Sequence, residues 1–159
     1  MKYEFAPDIQ QVFVDIVKTI ELCHIRLDSV MCFRSYGSSS RGTIARCHTL
    51  GKLMQKALGR KGFYVLEFLS ERFDRFSEKD KIKTIIHELM HIPKCFGGGF
   101  KHHDYVCNRN IDLYYKRYIE KKANSFYVRN AGISEHPKNL TKDKIGFFDK
   151  GQNESNTSF

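Results

Sequence analysis

The stretch His87-Glu88-Leu89-Met90-His91 carries the pattern H-E-x-x-H, which places two histidines four residues apart. In an α-helix, residues at this spacing lie on one face, one turn apart, so the two imidazoles can bind one metal ion. Glu88 is next to His87 and can reach a water on that ion rather than the ion itself. Zinc peptidases hold Zn²⁺ and a general base in this arrangement. The stretch therefore predicts His87 and His91 as metal ligands and Glu88 as a catalytic base.

The residues before the motif predict that it lies on a helix. Ser77, with Asp80 three residues later, is typical of a helix N-cap and its capping box. Apolar residues then recur at helical spacing, at Ile82, Ile85, Ile86 and Leu89. Pro93 disfavours helical geometry at the residue before it, so we expect the helix to end just after the motif.

A third metal ligand is expected in the loop that follows this helix. Three consecutive glycines, at 97–99, permit backbone angles that are closed to other residues and mark a loop. Such a loop can return a histidine to the helical pair, and both His102 and His103 are candidates. Three protein ligands leave a fourth position for water, which is the catalytic form of a zinc site.

The five cysteines are irregularly spaced and form no C-x-x-C pair. An odd number of cysteines, in a chain whose first residues lack a signal-peptide core, predicts free thiols in a reducing compartment. A cytoplasmic location is therefore expected. The alternative is a closed, structural zinc site in which Cys95 and Cys107 join the histidines. Structural sites usually draw their ligands in closely spaced pairs, which these two cysteines do not form.

Ahead of the motif, the chain alternates between helical and β patterns. Pro7 opens an apolar 3.6-residue pattern that predicts an N-terminal helix of about 15 residues. Two β-prone segments, 27–33 and 43–48, flank a Ser- and Gly-rich turn and are expected to pair with each other. A third strand, 63–69, is aromatic and β-branched and leads toward the motif helix.

Two further helices are predicted on either side of the motif. The segment 50–58 predicts a short helix ending at Gly59, and its apolar residues are expected in the core, at Leu53, Met54 and Leu58. Aromatic and aliphatic residues at helical spacing predict a helix over 104–123, which would cover the back of the motif helix.

The segment from Phe63 to Tyr105 resembles the phage-type metallopeptidase family, which also occurs in archaea and is similar in style to SprT-like minimal zincins. The matching positions are 64–67, 70–74, 85–93, Phe96, Gly98-Gly99 and His103. In that family a histidine follows the second motif histidine by twelve residues, so the resemblance selects His103 as the third ligand. The chain departs from the family at His102, where proline is usual, and at Asp104, where glycine is usual.

The resemblance implies an α+β fold: a minimal zincin-like single domain, with a small, mainly antiparallel or mixed sheet packed on helices and the motif helix central. A length of 159 residues and a hydrophobic content of 41% are compatible with one domain and a real core. We assign residues 1–130 to this domain and expect 131–159 to be a polar, flexible C-terminal tail.

Several nearby residues are candidates for supporting roles. Glu67 and Glu71 could orient a metal-bound imidazole, because such histidines usually donate their other N–H to a carboxylate or carbonyl. Asp104 could hold the His103 ring or cap the helix that follows. Tyr105 is the nearest phenol that could donate a hydrogen bond to a developing oxyanion. For the two glutamates and the tyrosine, surface exposure or simple packing is the competing interpretation.

The net charge of +9 favours approach to polyanions. The cations are scattered along the sequence, so a solvated surface accounts for them as well as a nucleic-acid site does. No run of about 18 apolar residues is present, so neither a transmembrane helix nor a membrane partner is expected. The oligomeric state is left open.

Two functional hypotheses follow from the motif. The first is a zinc-dependent peptidase, in which Glu88 takes a proton from the attacking water and passes it to the leaving amine of a protein or peptide substrate. The second is a metal-binding zincin-fold domain that interacts with protein or nucleic acid without turnover.

Overall fold

Four strands form one mixed sheet in residues 1–130, the part of the chain that the computed structural model describes. The strands are β1 (Lys2–Phe5), β2 (Val30–Tyr36), β3 (Ala45–Thr49) and β4 (Tyr64–Leu69). Their order in the sheet is β1-β2-β4-β3. The central pair, β2 and β4, is parallel, and both outer pairs are antiparallel. The predicted α+β class and mixed sheet are therefore confirmed. The predicted tail, residues 131–159, lies outside the described residues.

The predicted pairing of the second and third strands is wrong. β4 lies between β2 and β3, so the connection over 37–44 has to cross the end of β4. Burial explains this order, because the centre of a sheet suits the strand with the most buried side chains. Along β4 the core-facing side chains are fully buried, at Tyr64, Leu66 and Phe68. β3 carries charged and polar side chains, Arg46 and His48, which suit an edge.

β1 was not predicted, because the alternation of Tyr3 and Phe5 with charged residues covers only four positions, and none of them is buried. Backbone pairing with β2 holds it, from Lys2 opposite Tyr36 to Phe5 opposite Phe33. The Phe5 and Phe33 rings also meet edge to face, with their centroids 6.0 Å apart. Such a strand depends on its partner rather than on its own sequence.

Five helices and one short turn of 3₁₀ helix (Leu27–Ser29) complete the described fold. The helices are α1 (Pro7–Thr19), α2 (Lys52–Ala57), α3 (Ser70–Phe73), α4 (Glu78–Met90) and α5 (Asn108–Asn130). The predicted N-cap of the motif helix is confirmed, since the Ser77 hydroxyl accepts a hydrogen bond from the Asp80 N–H. α5 begins later than predicted and continues further, and it packs against α4 as expected. Within residues 1–130, no helix has the length and apolar content needed to cross a membrane.

The hydrophobic core lies between one face of the sheet and helices α1 and α4. Phe13 and Ile16 from α1, and Ile85 and Leu89 from α4, are buried in the same cluster as the core-facing residues of β2 and β4. Burial of apolar area at this interface is the main force that fixes the motif helix to the sheet.

The short helix α2 does not contribute to this core, so its predicted burial is wrong. Leu53, Met54 and Leu58 are all exposed. The sequence pattern predicted the helix itself, but no local signal distinguishes an apolar stripe that faces the core from one that faces solvent.

Arg34, near the C-terminal end of β2, links this strand to the start of α1 and to the end of α3. Its guanidinium donates to both carboxylate oxygens of Asp8, at 2.6 and 2.7 Å, and to Asp74 at 3.1 Å. Asp8 lies in the first turn of α1, where a carboxylate also interacts favourably with the helix dipole. The hydrogen bonds from Arg34 lower the pKa of Asp8. The sheet and α1 are thus held together by an ion pair at this end of β2 as well as by apolar packing in the core.

Replacing Phe13 by alanine should lower the free energy of unfolding by about 3–5 kcal/mol, because the ring is fully buried and leaves a cavity. Urea unfolding followed by circular dichroism measures the change. Phe126→Ala is the matched control, since that ring is 65% exposed and its loss should change stability by less than about 0.5 kcal/mol. Equal losses for the two variants would contradict the position of the core.

Candidate metal centre

Three histidines converge on one point beside α4. His87, His91 and His103 each offer one nitrogen, and these nitrogens lie within 4.8 Å of one another. The Nε2 atoms of His87 and His91 are 3.2 Å apart. Two imidazole nitrogens bound to one tetrahedral zinc ion lie about 3.3 Å apart, given the usual metal–nitrogen distances. The His87 and His91 nitrogens therefore have the spacing of two ligands on one metal ion, and the His103 nitrogen lies within 4.8 Å of both.

Helix α4 and the chain immediately after it present two of these histidines. His87 lies in the last turn, and His91 is the C-cap, one turn further along the same face. The buried face of the helix carries Ile85, Ile86 and Leu89, so packing against the core fixes the direction in which both imidazoles point.

A reciprocal pair of hydrogen bonds between His91 and Lys101 closes the loop that carries the third histidine. The Lys101 N–H donates to the His91 carbonyl at 2.8 Å, and the His91 Nδ1 lies 2.8 Å from the Lys101 carbonyl. A carbonyl can only accept, so Nδ1 carries the proton and Nε2 keeps its lone pair free for a metal. This is the contact by which metal-bound histidines are commonly held in orientation.

The glycine loop is fixed to β4 by a buried tyrosine. The Gly98 N–H donates to the Tyr64 hydroxyl, and that hydroxyl donates to the Gly99 carbonyl, both at 3.0 Å. Gly98 has a φ of +89°, and a side chain there would collide with the Gln55 amide and the Leu50 carbonyl. The expectation that these glycines form a loop is confirmed, and Gly98 is the position that requires glycine.

Burial and mutual proximity favour neutral imidazoles in this cluster. Burial, followed by the nearby His91 and His103, lowers the pKa of His87 to about 4. Burial also lowers the pKa of His91. Metal ions bind neutral histidine, so these two side chains are in the ligating form at neutral pH.

Glu88 is a buried carboxyl group that faces the same space. Only 5% of it is exposed, and burial raises its pKa to about 8. Its side chain forms no hydrogen bond within residues 1–130. A buried acidic group with a strongly raised pKa in a cleft is typical of a functional site.

Two adjoining cavities share the walls formed by Ala45, His87 and Glu88. The larger has a volume of about 630 Å³ and extends past Thr43 and Ile44 toward α5. The smaller, of about 350 Å³, extends past His91 and His103. Together they form a groove that runs along β3, with the three histidines and Glu88 at its middle.

Glu67 and Glu71 do not contact the motif histidines, so their expected supporting role is not found. Glu67 is buried on the face of the sheet that points away from the helices. Its carboxylate binds His48 Nε2 at 2.6 Å and Arg46 Nη1 at 3.0 Å. The Glu71 carboxylate accepts a hydrogen bond from the Gly37 N–H. Sequence position placed both residues near the motif helix, but the alternation of β4 turns Glu67 to the other side.

Tyr105 lies away from the open side of the groove. Its hydroxyl is 3.1 Å from that of Tyr114, and this hydrogen bond raises the pKa of Tyr105 to about 12. Both rings line a small cavity with Ile86 and Met90 on another side of α4. The structure therefore does not place this phenol where an oxyanion would develop.

The two remaining candidates lie on either side of His103. His102 lines the smaller cavity but does not belong to the histidine cluster, and its carbonyl accepts hydrogen bonds from the N–H groups of Tyr105 and Val106. Asp104 is exposed and forms no ion pair within the described residues. The structure thus groups His103, rather than His102, with the motif histidines.

Some groups around this site carry no signal in the sequence. The Lys101 carbonyl and the β3 residues Ala45 and Cys47 line or support the groove, and no local pattern marks them. The outward-facing Arg46 and His48 were the available sign that β3 is an edge strand. No cysteine joins the histidine cluster, and all five are free thiols.

The family model described as "Putative phage metallopeptidase" matches residues 1–127. No curated protein and no solved structure matches the chain.

His103→Ala should weaken zinc binding on the order of 100-fold or more, because one of three converging nitrogens is lost. His102→Ala is the matched control and should bind zinc as the unsubstituted chain does. Competition with a chelating dye measures both affinities. If only the His102 variant lost zinc binding, His102 and not His103 would be the third ligand.

Proposed function

Because the chain belongs to the Putative phage metallopeptidase family, we propose that it is a zinc-dependent peptidase. One observation carries this proposal. The ligand nitrogens of three imidazoles lie within 4.8 Å of one another, next to the buried carboxyl group of Glu88. The imidazoles and the carboxyl group border a groove of a size suited to an extended peptide.

Zinc is the metal that best suits this set of donors. Three neutral imidazoles are favoured ligands of Zn²⁺, and three protein ligands leave room for water and substrate. His87, His91 and His103 would hold the ion. Bound there, it would supply Lewis acidity, which polarises a peptide carbonyl and makes a neighbouring water a stronger acid.

Glu88 is the residue in position to move the proton. It follows His87 directly, and its carboxyl group faces the groove without a competing hydrogen bond within residues 1–130. We assign it the role of general base, which accepts the proton of the attacking water and then donates it to the leaving amine. A bound cation would favour its ionised form, because opposite charge nearby lowers the pKa of a carboxyl group.

The substrate path follows the free edge of β3. The Leu50 N–H bonds the Phe63 carbonyl, and the Leu69 N–H bonds the Ile44 carbonyl. Along residues 44–50, the backbone N–H and C=O groups of the even-numbered residues therefore bond to β4. Those of Ala45 and Cys47 point away from β4, toward the free edge. Both of these residues line the groove beside Glu88. A peptide that adds to this edge as a strand would pass directly over the histidine cluster.

Glu88→Gln should retain zinc and lower kcat/KM for a peptide substrate on the order of 10²–10⁴-fold, because the amide cannot accept the proton. Zinc content and cleavage of casein-derived fluorogenic peptides are the two measurements. Glu78→Gln, an exposed position in the first turn of the same helix, is the control and should change neither.

Two results would contradict this assignment. Undiminished hydrolysis by the Glu88 variant would remove that residue from its role. Zinc bound by the unsubstituted chain without cleavage under any condition would favour a metal-binding interaction domain without turnover.

Methylation of single peptide nitrogens in a substrate should impair cleavage in an alternating pattern. Only every second backbone N–H of an added strand faces β3, and each lost hydrogen bond should lower kcat/KM about fivefold. A series of peptides, each methylated at one nitrogen, measures the pattern. Equal sensitivity at adjacent positions would exclude binding as an added strand.

A further inference from the structure

Helix α2 is oriented with its apolar side toward solvent. The exposed fractions are 81% for Leu53 and 52% for Met54 in the helix, and 56% for Leu58 directly after it. Contiguous exposed apolar patches can mark sites of interaction, and three neighbouring apolar side chains on one short segment are the kind of feature from which such a patch is built.

A polar residue holds α2 with its apolar side turned away from the core. The Gln55 side-chain N–H₂ group donates to the Leu50 carbonyl at 2.6 Å and to the Gly97 carbonyl at 3.1 Å. Gln55 is also the half-buried residue of α2, whereas the others are exposed. The contact fixes the helix to the glycine loop and leaves the apolar residues projecting outward.

Unpaired cations border these apolar residues. Four positive side chains lie in or just after α2, at Lys52, Lys56, Arg60 and Lys61. None of them forms an ion pair within residues 1–130. The sequence contains no acidic residue between Asp28 and Glu67. The surface made of Leu53, Met54, Leu58 and these four cations, here called the α2 surface, therefore combines exposed apolar side chains with nearby positive charge.

We propose that the α2 surface binds an anionic lipid membrane. Aliphatic side chains can enter the boundary between headgroups and acyl chains, while flanking lysines and arginines interact with anionic headgroups. The surface thus has the two components that peripheral membrane binding requires. This contact would lie on the membrane and not span it. It replaces the earlier expectation of no membrane partner, which was based only on the lack of a long apolar run and therefore concerns spanning alone.

The composition of the surface favours lipid over a protein or nucleic-acid partner. Lysine is depleted in protein–protein interfaces, whose main contributions come from aromatic residues and arginine in pockets, whereas three of the four cations here are lysine. Single-stranded nucleic acid stacks its bases on aromatic rings, but the apolar side chains of this surface are aliphatic.

Vesicle sedimentation tests this proposal with the full chain. The chain should sediment with vesicles of equal parts phosphatidylglycerol and phosphatidylcholine but not with vesicles of phosphatidylcholine alone. Added salt should weaken binding, and Lys52→Gln and Lys56→Gln should each lower the partition coefficient about fivefold.

Paired variants separate the α2 surface from other exposed apolar residues. Leu53→Ser combined with Leu58→Ser should lower the partition coefficient at least about tenfold. Leu113→Ser combined with Ile119→Ser alters residues of α5 with exposed fractions of 57% and 42% and should have no effect. Circular dichroism checks that both variants are folded.

A single introduced tryptophan reports insertion directly, because the chain contains none. The emission of Leu53→Trp should shift to shorter wavelength with anionic vesicles, whereas that of Leu113→Trp should not.

Three outcomes would overturn the proposal. They are no sedimentation of the unsubstituted chain with anionic vesicles, equal loss of binding in the α5 variant, and a response of the Leu53→Trp emission to a single-stranded oligonucleotide but not to vesicles. The last outcome would assign the surface to nucleic acid.

Discussion

The two hydrogen bonds between His91 and Lys101 are the constraint on which the candidate site depends. They join the end of α4 to the end of the glycine loop, ten residues later in the chain. One of them also fixes the proton on Nδ1 of His91, so a single contact shapes the loop and directs the nitrogen that a metal would bind. Tyr64 holds the same loop from the other side, through its hydroxyl. The position of His103 is thus determined by backbone contacts more than by its own side chain.

Burial of an unpaired carboxyl group in the candidate site costs stability. The Glu88 carboxyl group is desolvated and has no hydrogen-bond partner within residues 1–130, and such groups destabilise the folded state. Glu67 shows how the same chain treats a buried carboxylate with a structural role, since Arg46 and His48 pair with it. The contrast between the two glutamates is compatible with the role of general base that we propose for Glu88.

Features determined by neighbouring residues could be predicted from the sequence, and features determined by distant contacts could not. The N-cap at Ser77, the apolar stripe of α4 and the glycine loop depend on residues a few positions apart, and all three are present. The order of the strands depends on which strand is most buried, and β1 depends on pairing with β2. The direction of the α2 stripe depends on Gln55 meeting Gly97, far along the chain. The resemblance to a known family selected His103, which spacing alone left equal to His102.

The position of β4 between β2 and β3 has a consequence for how the chain folds. β3 precedes β4 in the chain, but β4 is the strand with which it pairs. The two strands therefore pair only after the intervening residues, which include α2, have been synthesised. The parallel pairing of β2 with β4 closes a still longer loop, and contacts of this kind form slowly. The strand that borders the groove is therefore joined to β2 only through β4, so the groove is complete only after this long-range pairing has formed.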